Sequence, residues 1–389
     1  MSNKLEHFFA SIYLAVVGDK IGFGNGHREK NYNWTIAIDK DDTDYKSIVE
    51  GLTTKMIFIF IEEGGIIGLD MELLIPSDDT FMHTDTMQGL INPYSNRDEL
   101  YNDIVKLYLD TFKEFGISYM KDTLLAGRQT LEAIKNINAG TNWRNFSYSK
   151  TAGGSGGPMR TMCIGLCFYQ TNNLLKLIES SIMITSITHP NCTAFIGSIA
   201  SALFTSYAIK DMNPETWIFK LIDLLESDTI DNIIEKIKPN YIENFKEDKK
   251  DFLYKLRTYL EDSFDENNYN ISGVRSVYPY KRMLYYFENF SSNKKRFNPG
   301  SGADDVIIIA YDCLLMSKSN YEKLIYTSMI NIGDSDTIGT IASAWYGALY
   351  GFDNVPLNLI NKNEADYIRT NLMSTKLHEK YYEKTIKDF

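Results

Sequence analysis

Two acidic clusters far apart in the chain, Ser77-Asp78-Asp79-Thr80 and Gly333-Asp334-Ser335-Asp336-Thr337, carry the residue types best suited to chemistry. Each packs two carboxylates and a hydroxyl into four residues, at what reads as the first turn of an apolar helix. Neighbouring carboxylates repel unless a cation neutralises them, and hard divalent ions such as Mg²⁺ are held by a few oxygen ligands of this kind. Either cluster alone also reads as a helix cap that complements the positive end of the dipole. Two of them facing each other would make a two-metal site able to orient hydroxyls and polarise a leaving group.

A third segment, Gly153-Gly154-Ser155-Gly156-Gly157-Pro158-Met159-Arg160, runs into a helical pattern. Backbone amides of such a loop at a helix start can cradle a diphosphate; a flexible surface turn has the same composition. No Gly-Lys-Ser/Thr closes it and no strand precedes it, so it is neither a P-loop nor a dinucleotide fingerprint. Gly18 to Glu29 holds four glycines and reads as a loop leaving the first helix, with Glu29 either an acid/base group or a solvated charge. His189, before Pro190, is a ligand contact or a satisfied structural residue. His83 either supports the first acidic cluster or belongs to the polar core.

The elements that must position these groups are helices. Apolar residues recur with helical period over Leu5–Gly18, Thr80–Leu90, Asp98–Phe115, Asp122–Ile137, Gly157–Phe168, 172–187, Ala194–Lys210 and Pro214–Leu225. The pattern returns over Ile230–Ile237, Tyr241–Phe264, Asp304–Met316, Tyr321–Asn331, Thr337–Tyr350 and Glu364–Tyr382. Asn213-Pro214 marks one start and Gly351 one stop. Met56–Ile61 reads as helix or irregular. The periodicity breaks at 18–33, 138–158 and 291–302, and unperiodic stretches of this length inside a compact domain carry function. The fold class expected is all-α.

The 389 residues are 44% hydrophobic, enough for a sizeable core, and carry a net charge of −11, which argues against nucleic acid as a partner. Cys163, Cys167, Cys192 and Cys313 include no pair of Cys-x-x-Cys motifs, so they read as reduced, buried thiols of a cytoplasmic protein. The apolar start lacks a cleavage pattern and reads as an amphipathic first helix, and no apolar run approaches the length of a membrane span.

Taken in order, these motifs resemble the ADP-ribosylglycohydrolase family, and within it the ADP-ribosylarginine hydrolase branch. The resemblance is carried by Gly18-Asp19-Lys20-Ile21-Gly22-Phe23-Gly24-Asn25-Gly26, by Ser77-Asp78-Asp79-Thr80 with Met82-His83, and by the loop from Gly153 through Leu166. Ser198 to Ala208 and Gly333 to Thr337 with Tyr346-Gly347 and Tyr350-Gly351-Phe352 complete it. It implies a single compact multi-helix orthogonal bundle over residues 1–389 with a two-metal cleft. The implied metal ligands are Ser77, Asp78, Asp79, Asp334, Asp336 and Thr337, holding two Mg²⁺, with Mn²⁺ as a substitute. Substrate binding falls to Gly153, Gly154, Ser155, Gly156, Gly157 and Met159, with His189 beside them. Ala303 stands where the branch has His. The implied partners are mono-ADP-ribosylated proteins, with ADP-ribose as product and neither nucleic acid nor membrane.

The reaction expected is hydrolysis of the bond between C1″ of the distal ribose and an arginine guanidinium nitrogen, with Asp78 or Asp79 activating water and Glu29 assisting proton transfer. The alternatives are the same fold acting on ADP-ribosylserine, poly(ADP-ribose) or a free ADP-ribose derivative, a non-catalytic structural or filament-associated member, and a metal-dependent phosphatase.

Overall fold

The computed structural model describes residues 2–30, 44–170, 173–264, 279–291 and 298–383. As expected, the chain is all-α: among the described residues no strand occurs, and one isolated antiparallel bridge joins Gly154 to Gly302.

Two helices at opposite ends of the sequence form the centre. The first, Ser2–Phe23, is buried on every face from Phe8 onward, so it is a core helix and not the amphipathic one expected. A helix apolar all round must be covered on all sides. Its main partner is Ser335–Tyr350, itself buried from Ser335 to Leu349. The contacts run in opposite directions along the two chains. Ser335 Oγ donates to the Gly22 carbonyl (2.8 Å), Ser11 Oγ to that of Ala344 (2.9 Å), and His7 Nδ1 lies 2.9 Å from that of Ala348. The pair is therefore antiparallel. Glycine makes the crossing possible: a Cβ on Gly18 would sit 2.3 Å from the Gly339 carbonyl oxygen, and one on Gly22 would sit 2.2 Å from that of Ser335.

A third buried helix, Cys192–Ile209, is long and apolar enough to cross a membrane by length and composition, contrary to expectation, yet 89% of it is buried inside the bundle. Its small residues admit neighbouring backbones: a Cβ on Gly165 would lie 2.1 Å from the Ala202 carbonyl oxygen. Trp345 Nε1 donates to the Ser201 carbonyl (3.1 Å) and ties this helix to Ser335–Tyr350. All four cysteines are free and buried.

Several expected elements are divided or moved. The Asp122–Ile137 pattern is two helices, Ile117–Asp122 and Arg128–Asn138, separated at Leu125, whose φ of 60° no helix accommodates. Gly157–Phe168 is a 3₁₀ turn, Pro158–Arg160, followed by the short helix Met162–Cys167. Met56–Ile61 lies inside the helix Tyr45–Glu62.

Candidate active site

The expected loop at residue 18 is helix through Phe23, because packing of Gly18 and Gly22 against the last core helix outweighs the low helix propensity of glycine. That extra turn carries Asp19, fully buried, to the start of the helix Asp78–Ile91. The Asp19 carboxylate accepts from the Ser77 amide (3.1 Å), the Thr80 amide (3.2 Å) and the Thr80 hydroxyl. Ser77 caps the same helix, its Oγ accepting from the Asp79 amide (3.1 Å). The Asp78 amide donates to the Leu124 carbonyl (3.2 Å). Asp78 and Asp79 are thereby held side by side, facing the cleft.

The second cluster comes from the far side. The Asp334 amide donates to the Pro299 carbonyl (2.9 Å), and the Asp334 carboxylate accepts from Ser155 Oγ (3.1 Å). Ser335 turns away to bond Gly22, which leaves Asp334, Asp336 and Thr337 facing Asp78 and Asp79 across one cleft. The cleft leaves about 820 Å³ of empty space, part of it open to solvent.

Its electrostatics are those of crowded acids. Burial, then Asp336, raises Asp19 to about 7. Burial also pushes Asp78 and Asp79 well above the usual carboxylate range, with Asp336 the next cause for each and Asp19 further down; the Arg160 cation opposes the rise at Asp78. Asp336 is raised well above the usual carboxylate range by burial and by the neighbouring Asp334. Asp79 Oδ2 and Asp336 Oδ1 are buried with no hydrogen-bond partner among the described residues. Among those residues no three His, Cys, Asp or Glu side chains already close into a metal cage. The oxygen-only donor set, the two orphaned oxygens and the mutual repulsion nevertheless fit a hard divalent cation.

The glycine-rich loop forms a further wall of the cleft, in contact with Asp334 through Ser155. Its bridge to Gly302 consists of Ser155 N to the Ser301 carbonyl (3.0 Å) and Ala303 N to the Gly153 carbonyl (2.9 Å). Ala303 is thus buried behind the loop, and the cleft is lined on that side by Asn298 and Ser301. Gly154, Ser155, Gly156 and Met159 face the cleft together with His189. Gly153 and Gly157 do not; a Cβ on Gly157 would meet Ser198 Oγ at 2.6 Å, so that glycine serves close packing. A Cβ on Gly156 would lie 2.5 Å from His189 Cε1. Burial, then the Arg160 charge, lowers His189 to about 3, so its imidazole is neutral.

The remaining candidates fall elsewhere. His83 is buried, lowered by burial to about 4, and is not among the residues lining the cleft, which agrees with the polar-core alternative. Glu29 belongs to the short helix His27–Lys30, and its side chain lies outside the described residues. Two features went unforeseen. Asp19 was hidden inside a glycine motif, although a lone acid in an apolar run is a usable signal. The rim Leu125, Gly127, Arg128, Gln129 and Thr130 lines the cleft beside Asp78 because the left-handed Leu125 breaks the helix there.

A family model described as ADP-ribosylglycohydrolase matches residues 1–387. The mimivirus protein L444 of Acanthamoeba polyphaga mimivirus, provisionally named an ADP-ribosyl glycohydrolase, is 30% identical over 345 residues, 87% of this chain; the match spans 63% of the viral protein's length. ADP-ribosylhydrolase ARH1 of Dictyostelium discoideum is 32% identical over 308 residues, covering 72% of this chain and 74% of that protein. ADP-ribosylhydrolase ARH3 of Xenopus tropicalis is 23% identical over 404 residues, covering 98% and 97%. A solved structure titled ADP-ribosylglycohydrolase-related protein complex superposes with a TM-score of 0.55 over 97% of this chain and 99% of its own, at 13% identity, a likeness of fold alone. The chain belongs to the ADP-ribosylglycohydrolase family.

Proposed function

We propose that this chain is a Mg²⁺-dependent hydrolase that removes mono-ADP-ribose from arginine side chains of modified proteins. The observation that carries the reading is the meeting of Asp78, Asp79, Asp334 and Asp336 in one cleft that Gly154 and Gly156 also line. The higher identity to ARH1 than to ARH3 supports the arginine branch.

The residues that would hold the cation pair are Ser77, Asp78, Asp79, Asp334, Asp336 and Thr337. When bound, Mg²⁺ (or Mn²⁺) neutralises the crowded carboxylates and fixes the ribose hydroxyls. The Gly154–Gly156 backbone and the Ser155 hydroxyl take the diphosphate side of the ligand, and His189 bounds it. Asp79, whose Oδ2 has no protein partner among the described residues, positions the attacking water and takes its proton. Asp78, pushed up by burial and by Asp336 with the Arg160 charge only partly opposing, would be ionised once a cation is bound, and would then stabilise the oxocarbenium-like state at C1″. The C1″–N bond breaks with its electron pair moving to the guanidine nitrogen, which takes up the proton that Asp79 removed from water and leaves as the restored arginine. The water oxygen completes ADP-ribose.

The test is release of ADP-ribose, followed by mass spectrometry, from arginine-linked and serine-linked substrates with and without Mg²⁺. Arginine-linked substrate should be cleaved only with Mg²⁺; cleavage of the serine linkage alone, or cleavage that survives chelation, would refute the proposal.

A further inference from the structure

We propose that Arg160, acting through the Thr188 hydroxyl, locks His189 in the tautomer that presents Nε2–H to the glycine-rich loop, making His189 a fixed hydrogen-bond donor toward the ligand. The inference rests on the ADP-ribose reading only for the ligand's identity.

A guanidinium has donors and no acceptor. Arg160 is fully buried, and its Nη2 donates to Thr188 Oγ1 (2.6 Å), with longer contacts to the carbonyls of Ile184 (3.3 Å) and Thr185 (3.4 Å). Thr188 Oγ1 lies 2.8 Å from His189 Nδ1. The Arg160 contact uses one of the hydroxyl's two lone pairs, and we assign its proton to Nδ1, the acceptor recorded within reach. The ring proton of the neutral imidazole then stands on Nε2, since a neutral ring carries one donor and one acceptor. Nε2 faces the loop: it would lie 2.9 Å from a Cβ on Gly156 and 3.7 Å from one on Gly154. The His189 amide is tied to the Thr185 carbonyl (2.8 Å), which fixes the backbone from which the ring projects.

A purely structural Arg160 would tie down the end of the helix Leu174–Ser186 through the Ile184 and Thr185 carbonyls. That role does not explain the short Thr188 contact, and it leaves a buried cation whose Nε and Nη1 have no hydrogen-bond partner among the described residues, with the Tyr108 ring 5.2 Å from the guanidinium and the Asp78 charge as its other company. Burying an underpaired charge is expensive. An anionic ligand on the other side of His189 gives the charge a purpose that helix capping does not. Arg160 and Thr188 are thus positioning residues; His189 makes the contact.

The experiment is ¹⁵N NMR of histidine-labelled, ligand-free protein at neutral pH, with His189→Gln identifying the resonance. The wild type should show Nε2–H alone. Thr188→Val should let Nδ1–H appear and weaken ADP-ribose binding by about tenfold in calorimetry, the scale of one lost hydrogen bond to a charged group. Thr188→Ser should restore both. A wild-type Nδ1–H tautomer, or Thr188→Val with unchanged tautomer and affinity, overturns the relay. The expected tautomers without ADP-ribose binding would uphold the relay and refute the ligand.

Discussion

Replacing Asp336 by Asn should make the metal-free protein more stable and the Mg²⁺-supplemented protein less so. Without a cation, burial and the neighbouring Asp334 push the Asp336 carboxyl well above the usual carboxylate range, so its negative charge is a cost to the folded protein. Each pH unit of such a rise corresponds to about 1.36 kcal/mol of differential interaction between the protonated and ionised forms. Asparagine mimics the protonated carboxyl permanently and keeps a donor for Asp334, so this cost disappears. Stabilising substitutions commonly contribute about 0.5–2 kcal/mol, and removing a buried, repelled charge belongs at the upper end, about 2 kcal/mol. With an unfolding entropy near 2.1 cal/mol/K per residue, the metal-free Tm should rise by roughly 2–3 °C. Saturating Mg²⁺ should stabilise the wild type by about 2.7 kcal/mol at a hundred times its Kd, and the variant by almost nothing. Calorimetric melts in chelator and in Mg²⁺ would therefore rank the two proteins in opposite orders. A variant that melts lower in chelator, or that keeps the wild-type response to Mg²⁺, refutes the reasoning.

Gly18→Ala should destabilise by about 3 kcal/mol or more, because its Cβ would lie 2.3 Å from a backbone oxygen that can retreat only with its helix; an unchanged Tm would show that the crossing has slack. Asp85 is raised to about 7, mainly by burial, despite a 2.7 Å hydrogen bond from Thr111. The native state then binds the proton more tightly than the unfolded chain, so stability falls as pH rises from about 4 to about 7. Asp85→Asn should remove that slope and be about 2 kcal/mol more stable than wild type at pH 8 after discounting for partial exposure, as read from urea melts at pH 5 and pH 8; parallel pH profiles would contradict this.

The acidic clusters were legible because their chemistry is local: two carboxylates and a hydroxyl within four residues carry their meaning wherever they fold. The glycine-rich loop was legible as a candidate, but which of its glycines face the cleft was not. Gly157 packs on Ser198 while Gly156 meets His189, a division made by other elements. Helical period located most of the helices, whereas Leu125 hid a break, since a leucine at φ 60° leaves no compositional mark. Asp19 escaped for the opposite reason. Its neighbours Gly18 and Gly22 read as loop-formers, and only the close backbone of a distant helix makes them helical. Residues 153–158 and 298–302 were each marked as unperiodic, but their pairing through Gly154 and Gly302 needs the third dimension.

The contact between Ser335 Oγ and the Gly22 carbonyl joins residues 313 apart. At ribosomal rates of about 5–20 residues per second, the first helix waits roughly a quarter of a minute to a minute for its partner to be made. Throughout that interval Asp19, a carboxylate in an otherwise oily helix, has no finished interior to enter. Final assembly of the centre is therefore a late, long-range event, and a chaperone that shields the nascent N-terminal helix should raise the yield of folded protein more than any local helix-stabilising change.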